Sequence, residues 1–291
     1  MKQLTIISGK GGTGKTTLVG ALSSLAKDKV LADCDVDAAD LFLILEPATI
    51  ERGEFIGGRK PVVDEEKCTQ CGVCTELCRF DAIKDGRVDI LECEGCGLCA
   101  LGCPEEAITM KDSPSGKWYI SETRNGPMTH ARLGIGEENS GKLVAEVRKL
   151  AQFLAEQRNL ELIIIDGPPG IGCPVISSLT GADLALIVTE PTVAGIHDLE
   201  RLIKLAEHFD IPTLICINKY DLNPAKTLQI EQYCQRKGLR LIGKIPFDVA
   251  VVKAMVERKT VMEYPCAAVQ DAIKSMWQEV QEALANKRTP T

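Results

Sequence analysis

Six short apolar runs, at residues 4–8, 30–33, 162–166, 184–189, 214–218 and 241–245, are rich in β-branched residues and alternate with stretches of helical periodicity. An apolar run without strict alternation is the pattern of a strand covered on both faces, so the chain predicts an α/β fold with a parallel sheet between helices. That order breaks between the second and third runs, from near 54–58 to near 112–116, where glycine, proline and cysteine replace the periodic pattern. The expected organisation is a first domain segment at 1–57, an inserted small α+β domain at 58–112, and the rest of the first domain at 113–291. Residues 118–123 predict a strand, 126–141 a return loop and 142–157 a helix. Two readings of His130 and Lys142 stand here, contact with a partner subunit or an ordinary solvated connection, and the second is preferred.

In the last helix Val269, Ile273, Met276, Trp277, Val280 and Leu284 recur at helical spacing. Its polar positions hold Asp271, Glu279 and Glu282 beside Lys274, which is not the basic face that anionic lipid attracts. Packing onto the core is expected rather than membrane binding.

At 291 residues, 45% apolar and 26% charged, the chain can bury one large core or two unequal ones. No uncharged apolar run approaches the roughly 18 residues of a membrane span, and the N-terminus runs directly into a strand. A cytoplasmic location without membrane insertion is expected. The net charge is −7, and residues 62–110 hold eleven acidic side chains against four Lys or Arg. The remainder is balanced and offers no basic footprint for nucleic acid, whereas the acidic insert suits a basic face on a redox partner.

Gly9-Lys10-Gly11-Gly12-Thr13-Gly14-Lys15-Thr16 follows the first strand and opens a helix. In that setting backbone N–H groups surround phosphate oxygens, Lys15 reaches the β and γ phosphates, and the Thr16 hydroxyl binds Mg2+. Asp166 closes a very apolar strand, so its carboxylate emerges at the carboxyl edge of the sheet and holds Mg2+ through water; a helix N-cap is the alternative reading. Thirteen cysteines in a chain of this kind argue for metal ligation over disulfides. Eight of them repeat one pattern, Cys68-x2-Cys71-x2-Cys74-x3-Cys78 and Cys93-x2-Cys96-x2-Cys99-x3-Cys103, and each copy continues into Ala-Ile, at Ala82-Ile83 and Ala107-Ile108. Three close thiolates and a remote fourth suit a cubane, with the fourth cysteine serving the other cluster. The spacing resembles that of two-cluster ferredoxins, and this resemblance implies that Cys68, Cys71, Cys74 and Cys103 bind one [4Fe-4S] cluster and Cys93, Cys96, Cys99 and Cys78 the second. Zinc, which pairs two separated Cys-x2-Cys units, is the rival.

The lysine order, with Lys10 ahead of Lys15, resembles the deviant Walker A motif of the MinD, ParA and nitrogenase iron protein class of P-loop ATPases. Ala32-Asp33-Cys34-Asp35 resembles the first switch of that class and Ile165-Asp166-Gly167-Pro168-Pro169-Gly170 its second. Thr189-Glu190-Pro191, Asn218-Lys219 and Ile245-Pro246-Phe247-Asp248 match further segments in order. The resemblance covers nearly all the chain outside the insert, which itself is similar to bacterial two-cluster ferredoxins, although Arg79 rather than proline follows Cys78.

The resemblance implies a slow, partner-stimulated ATPase that binds ATP, ADP and Mg2+ and works as an ATP-dependent dimer, with itself or with a paralogous ATPase. Lys10 would reach the nucleotide of the facing subunit, Asp35 would orient the attacking water, and Asn218 would recognise adenine. Asp33, Asp37 and Asp40 compete with Asp35 for that role. Expected catalytic groups are Lys10, Lys15, Asp35 and Asp166; expected nucleotide contacts are Gly11, Gly12, Thr13, Gly14, Lys15, Thr16, Thr17 and Asn218. Cys34, Cys216, Cys234 and Cys266 read as small core residues. Cys173 lies seven residues beyond Asp166, where the nitrogenase iron protein has a cluster ligand, but no second cysteine stands between Cys103 and Cys173; packing and a redox role are both open. The function expected is ATP hydrolysis coupled to electron transfer through two clusters to an unknown redox partner. An iron-sulfur carrier of the Mrp type and a redox-sensing positioning switch of the MinD or ParA type are the alternatives.

Overall fold

The computed structural model describes residues 1–134, 137 and 141–286. Along the chain run β1 (Lys2–Ser8), α1 (Lys15–Leu25), β2 (Lys29–Asp33), α2 (Leu41–Leu45), β3 (Ala48–Val63), α3 (Val73–Leu77), β4 (Ile83–Lys84), β5 (Arg87–Val88), α4 (Leu98–Leu101) and β6 (Ile108–Thr123). They are followed by β7 (Gly126–Leu133), α5 (Lys142–Gln157), β8 (Leu162–Pro169), α6 (Cys173–Leu179), β9 (Leu184–Thr189), α7 (Val193–His208), β10 (Thr213–Asn218), α8 (Pro224–Lys237), β11 (Arg240–Ile245), α9 (Val249–Val256) and α10 (Ala267–Asn286). Two compact units result. The first comprises Met1–Arg52, Tyr119–Ala131 and the described part of Asn139–Thr291; the second comprises Gly53–Trp118 and the described part of Arg132–Glu138.

The main sheet has the strand order β11-β10-β9-β1-β8-β2-β7-β6-β3, and the pairings from β11 through to β7 are parallel. Alternate residues of one strand feed opposite cores of the first unit. Leu4, Leu186 and Cys216 pack with α1 and α10, whereas Ile7, Ile187 and Ile215 pack with α6, α7 and α8. This double burial explains why these strands read as continuous apolar runs. Helix α10 buries all six of its periodic apolar residues, from Val269 to Leu284. Burial of each large side chain stabilises the unit by about 1.5–3 kcal/mol. Cys34, Cys216, Cys234 and Cys266 are buried, as small core residues should be. Among the described residues no helix is long and apolar enough to cross a membrane.

The structure corrects the sequence reading in two places. Residues 54–58 and 112–116 are not breaks in strand structure, for they lie inside the sixteen-residue strands β3 and β6. The expected return loop at 126–141 begins instead as β7, which pairs with β2 so that His130 stands beside Asp33; 135–136 and 138–140 lie outside the described residues. His130 is not part of a solvated connection. It is buried, shares a 3.0 Å hydrogen bond with Ser121 Oγ and stacks on Tyr119 with ring centroids 5.0 Å apart. Lys142 opens α5.

Arg124, in the turn between β6 and β7, donates to Glu263 Oε1 at 2.8 Å and to the Ile44 carbonyl at 2.8 Å. That hydrogen bond pulls the Glu263 carboxyl down from 4.5 to about 2. A carboxylate held low stabilises the fold above its ordinary range and loses that contribution as pH falls towards 2. Solvent screening of this partly exposed pair limits it to about 1 kcal/mol. Arg124→Ala should therefore lower the Tm near neutral pH, and the gap from wild type should close on acidification; a gap that persists unchanged at pH about 2 contradicts the assignment.

The second unit contains α3 and α4, which pack together, and the antiparallel pair β4–β5. Each helix follows a Cys-Gly turn in which Gly72 (φ 83°) and Gly97 (φ 79°) adopt the left-handed conformation, so the cysteine repeat is also a backbone repeat. Among the described residues of this unit the buried hydrophobic side chains are few: Ala82, Ile83, Cys99, Ala107 and Ile108. So small a core does not hold a unit of this length without a further staple.

Candidate functional site

At the carboxyl edge of β1, β2 and β8, a cavity of about 460 Å³ is lined by the loop from Lys10 to Thr17, with Asp35, Asp40, Asn218 and Lys219 among its other walls. Gly14 (φ 89°) begins α1, and no side chain caps that helix, which leaves its first-turn N–H groups facing the cavity as anion donors. A Cβ on Gly14 would lie 2.3 Å from Asn218 Nδ2, so glycine is required twice over. Asn218 donates to the Thr13 carbonyl at 2.7 Å and Lys219 to the Gly12 carbonyl at 2.9 Å, which fixes the loop from the β10 side. An apolar wall formed by Ile245, Val251, Val252 and Met255 completes the cavity, a surface suited to a planar base.

Two carboxylates and a hydroxyl meet Lys15. Its Nζ lies 2.5 Å from Asp166 Oδ1, 3.6 Å from Asp35 Oδ2 and 3.4 Å from Thr16 Oγ1. The in-register pairing of β2 with β8 sets Asp33 beside Asp166, and both are fully buried. Burial acts to lower the Lys15 pKa, yet the charge and hydrogen bond of Asp166, with Asp35 and Asp33, hold it above its ordinary value. Burial pushes the Asp33 carboxyl well above the usual range, and the charge of Asp166 adds to the effect. Burial likewise raises Asp35 to about 6, opposed by Lys15. Asp33 Oδ2, Asp166 Oδ2 and Thr13 Oγ1 are buried without a hydrogen-bond partner among the described residues. The orphaned oxygen of Asp166, whose other oxygen holds Lys15 in the phosphate cradle, has the hard-donor chemistry that Mg2+ takes, whereas the carboxyl of Asp33 is raised by burial. Among the described residues no three His, Cys, Asp or Glu groups converge as a metal cage; Mg2+ does not need one, since substrate phosphates and water fill most of its octahedron.

Lys10 reaches the cavity and forms an ion pair with Glu190, which also lies 3.4 Å from Lys219 Nζ. Cys173 is exposed at the start of α6.

In the second unit the cysteines surround two further cavities. Cys68, Cys71, Cys74 and Cys103 line one; Cys78, Cys93, Cys96 and Cys99 line the other. Ile83, Cys99 and Ile108 form the buried cluster against which Cys74, Cys78 and Cys103 pack. Backbone N–H groups already point at sulfur: Gly95 N lies 3.4 Å from Cys93 Sγ, and Ala107 N lies 3.3 Å from Cys103 Sγ. Lys60 Nζ donates to the Cys93 carbonyl at 2.6 Å and to that of Ile90 at 3.1 Å, securing the second cysteine loop.

Residues 4–261 match the CbiA family, described as the CobQ/CobB/MinD/ParA nucleotide binding domain. The chain belongs to this nucleotide-binding family. It is 34% identical over 284 residues, 96% of either chain, to the uncharacterized protein MJ0578 of Methanocaldococcus jannaschii. With the septum site-determining protein MinD of Bacillus subtilis it shares 25% identity over 260 residues, 86% of this chain and 78% of that one. Among solved structures, MinD of Pyrococcus horikoshii in complex with Mg-ADP superposes with a TM-score of 0.61 at 19% identity, covering 100% of this chain and 99% of that one. MinD of Aquifex aeolicus gives 0.56 at 23% identity, with 100% and 99% covered. At these identities the superpositions establish the α/β fold.

Within that family framework the structure gathers Lys10, Gly11, Gly12, Thr13, Gly14, Lys15, Thr16, Thr17, Asp35 and Asn218 around one cavity. Asp166 lies beneath it, in β8 rather than at a helix cap, and acts on the cavity through Lys15. Of the competing carboxylates, Asp33 is sealed under the site, while Asp35 lies against Lys15 on the cavity wall. Sequence reasoning quoted Glu190 and Lys219 only as segment matches. Their ion-pair roles depend on side chains brought together from β1, β9 and β10, and no local pattern carries that. Val251, Val252 and Met255 were also missed, because an apolar helix reads as core.

Proposed function

We infer that the chain is an ATP-hydrolysing, dimeric switch whose nucleotide state governs electron transfer through two [4Fe-4S] clusters held by its second unit. The observation that carries the cluster assignment is the division of the eight cysteines into two fours, each around its own cavity. A zinc site typically pairs two separated Cys-x2-Cys units, whereas a cubane suits three closely spaced thiolates and a remote fourth, the spacing repeated twice here. The deficient core of this unit supports the same reading, since metal ligation supplies the staple it lacks. Such clusters supply one-electron transfer when bound.

In the first unit Lys15 and the open amides of the loop neutralise the β and γ phosphates, and Thr16, with Asp166 through water, would hold Mg2+. Asp35 orients the attacking water. Lys10 leaves Glu190 for the nucleotide of the facing subunit. Hydrolysis removes the charge that Lys10 and Lys15 had engaged, and the backbone around Gly167 and Gly170 relaxes. Asp35→Asn should keep ATP binding while slowing hydrolysis by about 10²–10³-fold. Calorimetry with ATP and a phosphate-release assay check this; unchanged turnover removes Asp35 from the mechanism.

A second reading is favoured by the relatives that bear the name MinD. On that reading the chain is a positioning or regulatory switch of the MinD or ParA type, and the metal unit senses redox state. Iron and sulfide analysis of anaerobically prepared protein tests the assignment common to both readings, with two four-iron clusters per chain expected and a zinc-loaded or metal-free chain contradicting it. ATP-dependent electron delivery to an acceptor separates the first reading from the second.

A further inference from the structure

The second unit has an open groove of about 1160 Å³ formed by Gln70 and the segment from Phe80 to Glu92. Its walls are shared with both cysteine cavities. Gln70 and Asp85 also line the cavity of Cys68, Cys71, Cys74 and Cys103, while Phe80 and Ala82 also line that of Cys78, Cys93, Cys96 and Cys99. Three large apolar side chains are exposed along it, Phe80 at 36%, Ile90 at 49% and Leu91 at 62%. One such residue needs no explanation, but three on a single groove mark an interaction surface. Around them Asp81, Asp85, Asp89 and Glu92 are all exposed, against Lys84 and Arg87. An open groove that combines exposed apolar side chains with exposed charged ones suits a protein face better than a small ligand.

We propose that this groove docks a basic one-electron redox protein, whose apolar contact patch sits on Phe80, Ile90 and Leu91 while its lysines and arginines face the acidic lip. The proposal rests on the cluster reading above. Acidic charge on the lip steers the encounter, and the shared walls bring the acceptor against both cysteine cavities. Exchange is a single electron: the partner's oxidised centre is reduced as an iron-sulfur centre, previously reduced by dithionite, is reoxidised, and no proton moves.

The test uses the full iron-loaded chain and a basic ferric cytochrome c as probe, with binding read by calorimetry and reduction by stopped-flow absorbance. One variant combines Asp81→Asn, Asp85→Asn, Asp89→Asn and Glu92→Gln. Asparagine suits the left-handed backbone at Asp81 (φ 53°) and Asp85 (φ 50°) and keeps the acceptor that Asp89 offers to Leu91 N, so folding should survive. The control neutralises as many acidic residues of the same unit away from the groove: Glu54, Glu65, Glu66 and Glu76, each to Gln. At low salt the groove variant should bind the cytochrome about tenfold more weakly and reduce it correspondingly more slowly, with the control within about threefold of wild type. Leu91→Ser, which keeps every charge, should speed dissociation. Equal losses in groove and control variants would mean attraction by net charge alone and overturn the docking site, as would no loss in either. A chain without iron and sulfide overturns the cluster reading together with this one, whereas a loaded chain with an indifferent groove overturns only the docking.

Discussion

Lys15→Met abolishes ATP turnover, with an expected fall of at least about 10²–10³-fold, and also destabilises the first unit. The effects have different origins. Turnover is lost because Lys15 is the buried cation in the phosphate cradle, and among the described residues no other Lys or Arg is paired with both Asp166 and Asp35. Stability is lost because Asp166 is fully buried and Lys15 is its partner at 2.5 Å; removal of one member of a buried pair costs about 3–5 kcal/mol. A compensating change separates them. Lys15→Met with Asp166→Asn leaves no unpaired charge at that pair and should recover much of the stability while remaining inactive. Urea unfolding and phosphate release on the single and double variants read the two effects. Recovery of turnover in the double variant would contradict the role given to Lys15.

Cys103→Ser should empty the cavity it shares with Cys68, Cys71 and Cys74, although in sequence it belongs to the other quartet. About half the iron should be lost, and Cys78→Ser should mirror the effect on the cavity of Cys93, Cys96 and Cys99. If each quartet held its own cluster, the losses would be exchanged between the two sites, which EPR of the remaining cluster in each variant distinguishes. Both variants should also expose the second unit to proteolysis. The five buried apolar side chains among its described residues are too few to hold it, so on the proposed cluster reading ligation would supply a large share of the unit's stability.

The parts of the fold legible in the sequence are those where local pattern and burial coincide. β1, β2, β8, β9 and β10 are covered on both faces and therefore read as apolar runs, while the half-buried edge strand β11 keeps the apolar residues Leu241, Ile242 and Ile245. β7 is buried as well, but Thr129 and His130 interrupt its apolar pattern; Thr129 Oγ1 donates to the Val147 carbonyl and His130 Nε2 shares a hydrogen bond with Ser121 Oγ, partners that the chain brings close only after folding. β3 is long and largely exposed, so it carries no hydrophobic signal, whereas the better-covered end of β6, residues 118–123, reads as a strand. At the site, the phosphate loop was readable because glycine and lysine are required at fixed spacing next to a helix start. The burial of Asp33 beside Asp166 comes from strand register, and the grip of Glu190 on Lys10 comes from the arrangement of strand ends. The cysteine grouping was readable only as spacing, to which the two cavities add a spatial observation.

The most direct test of coupling between the two units is EPR of the dithionite-reduced, iron-loaded protein under Mg-ATP, Mg-ADP and no nucleotide, with Asp35→Asn used to hold the ATP state. The account predicts two reduced four-iron signals per chain whose line shapes or midpoint potentials differ between the ATP and ADP states. Identical spectra and potentials in all three conditions would contradict it.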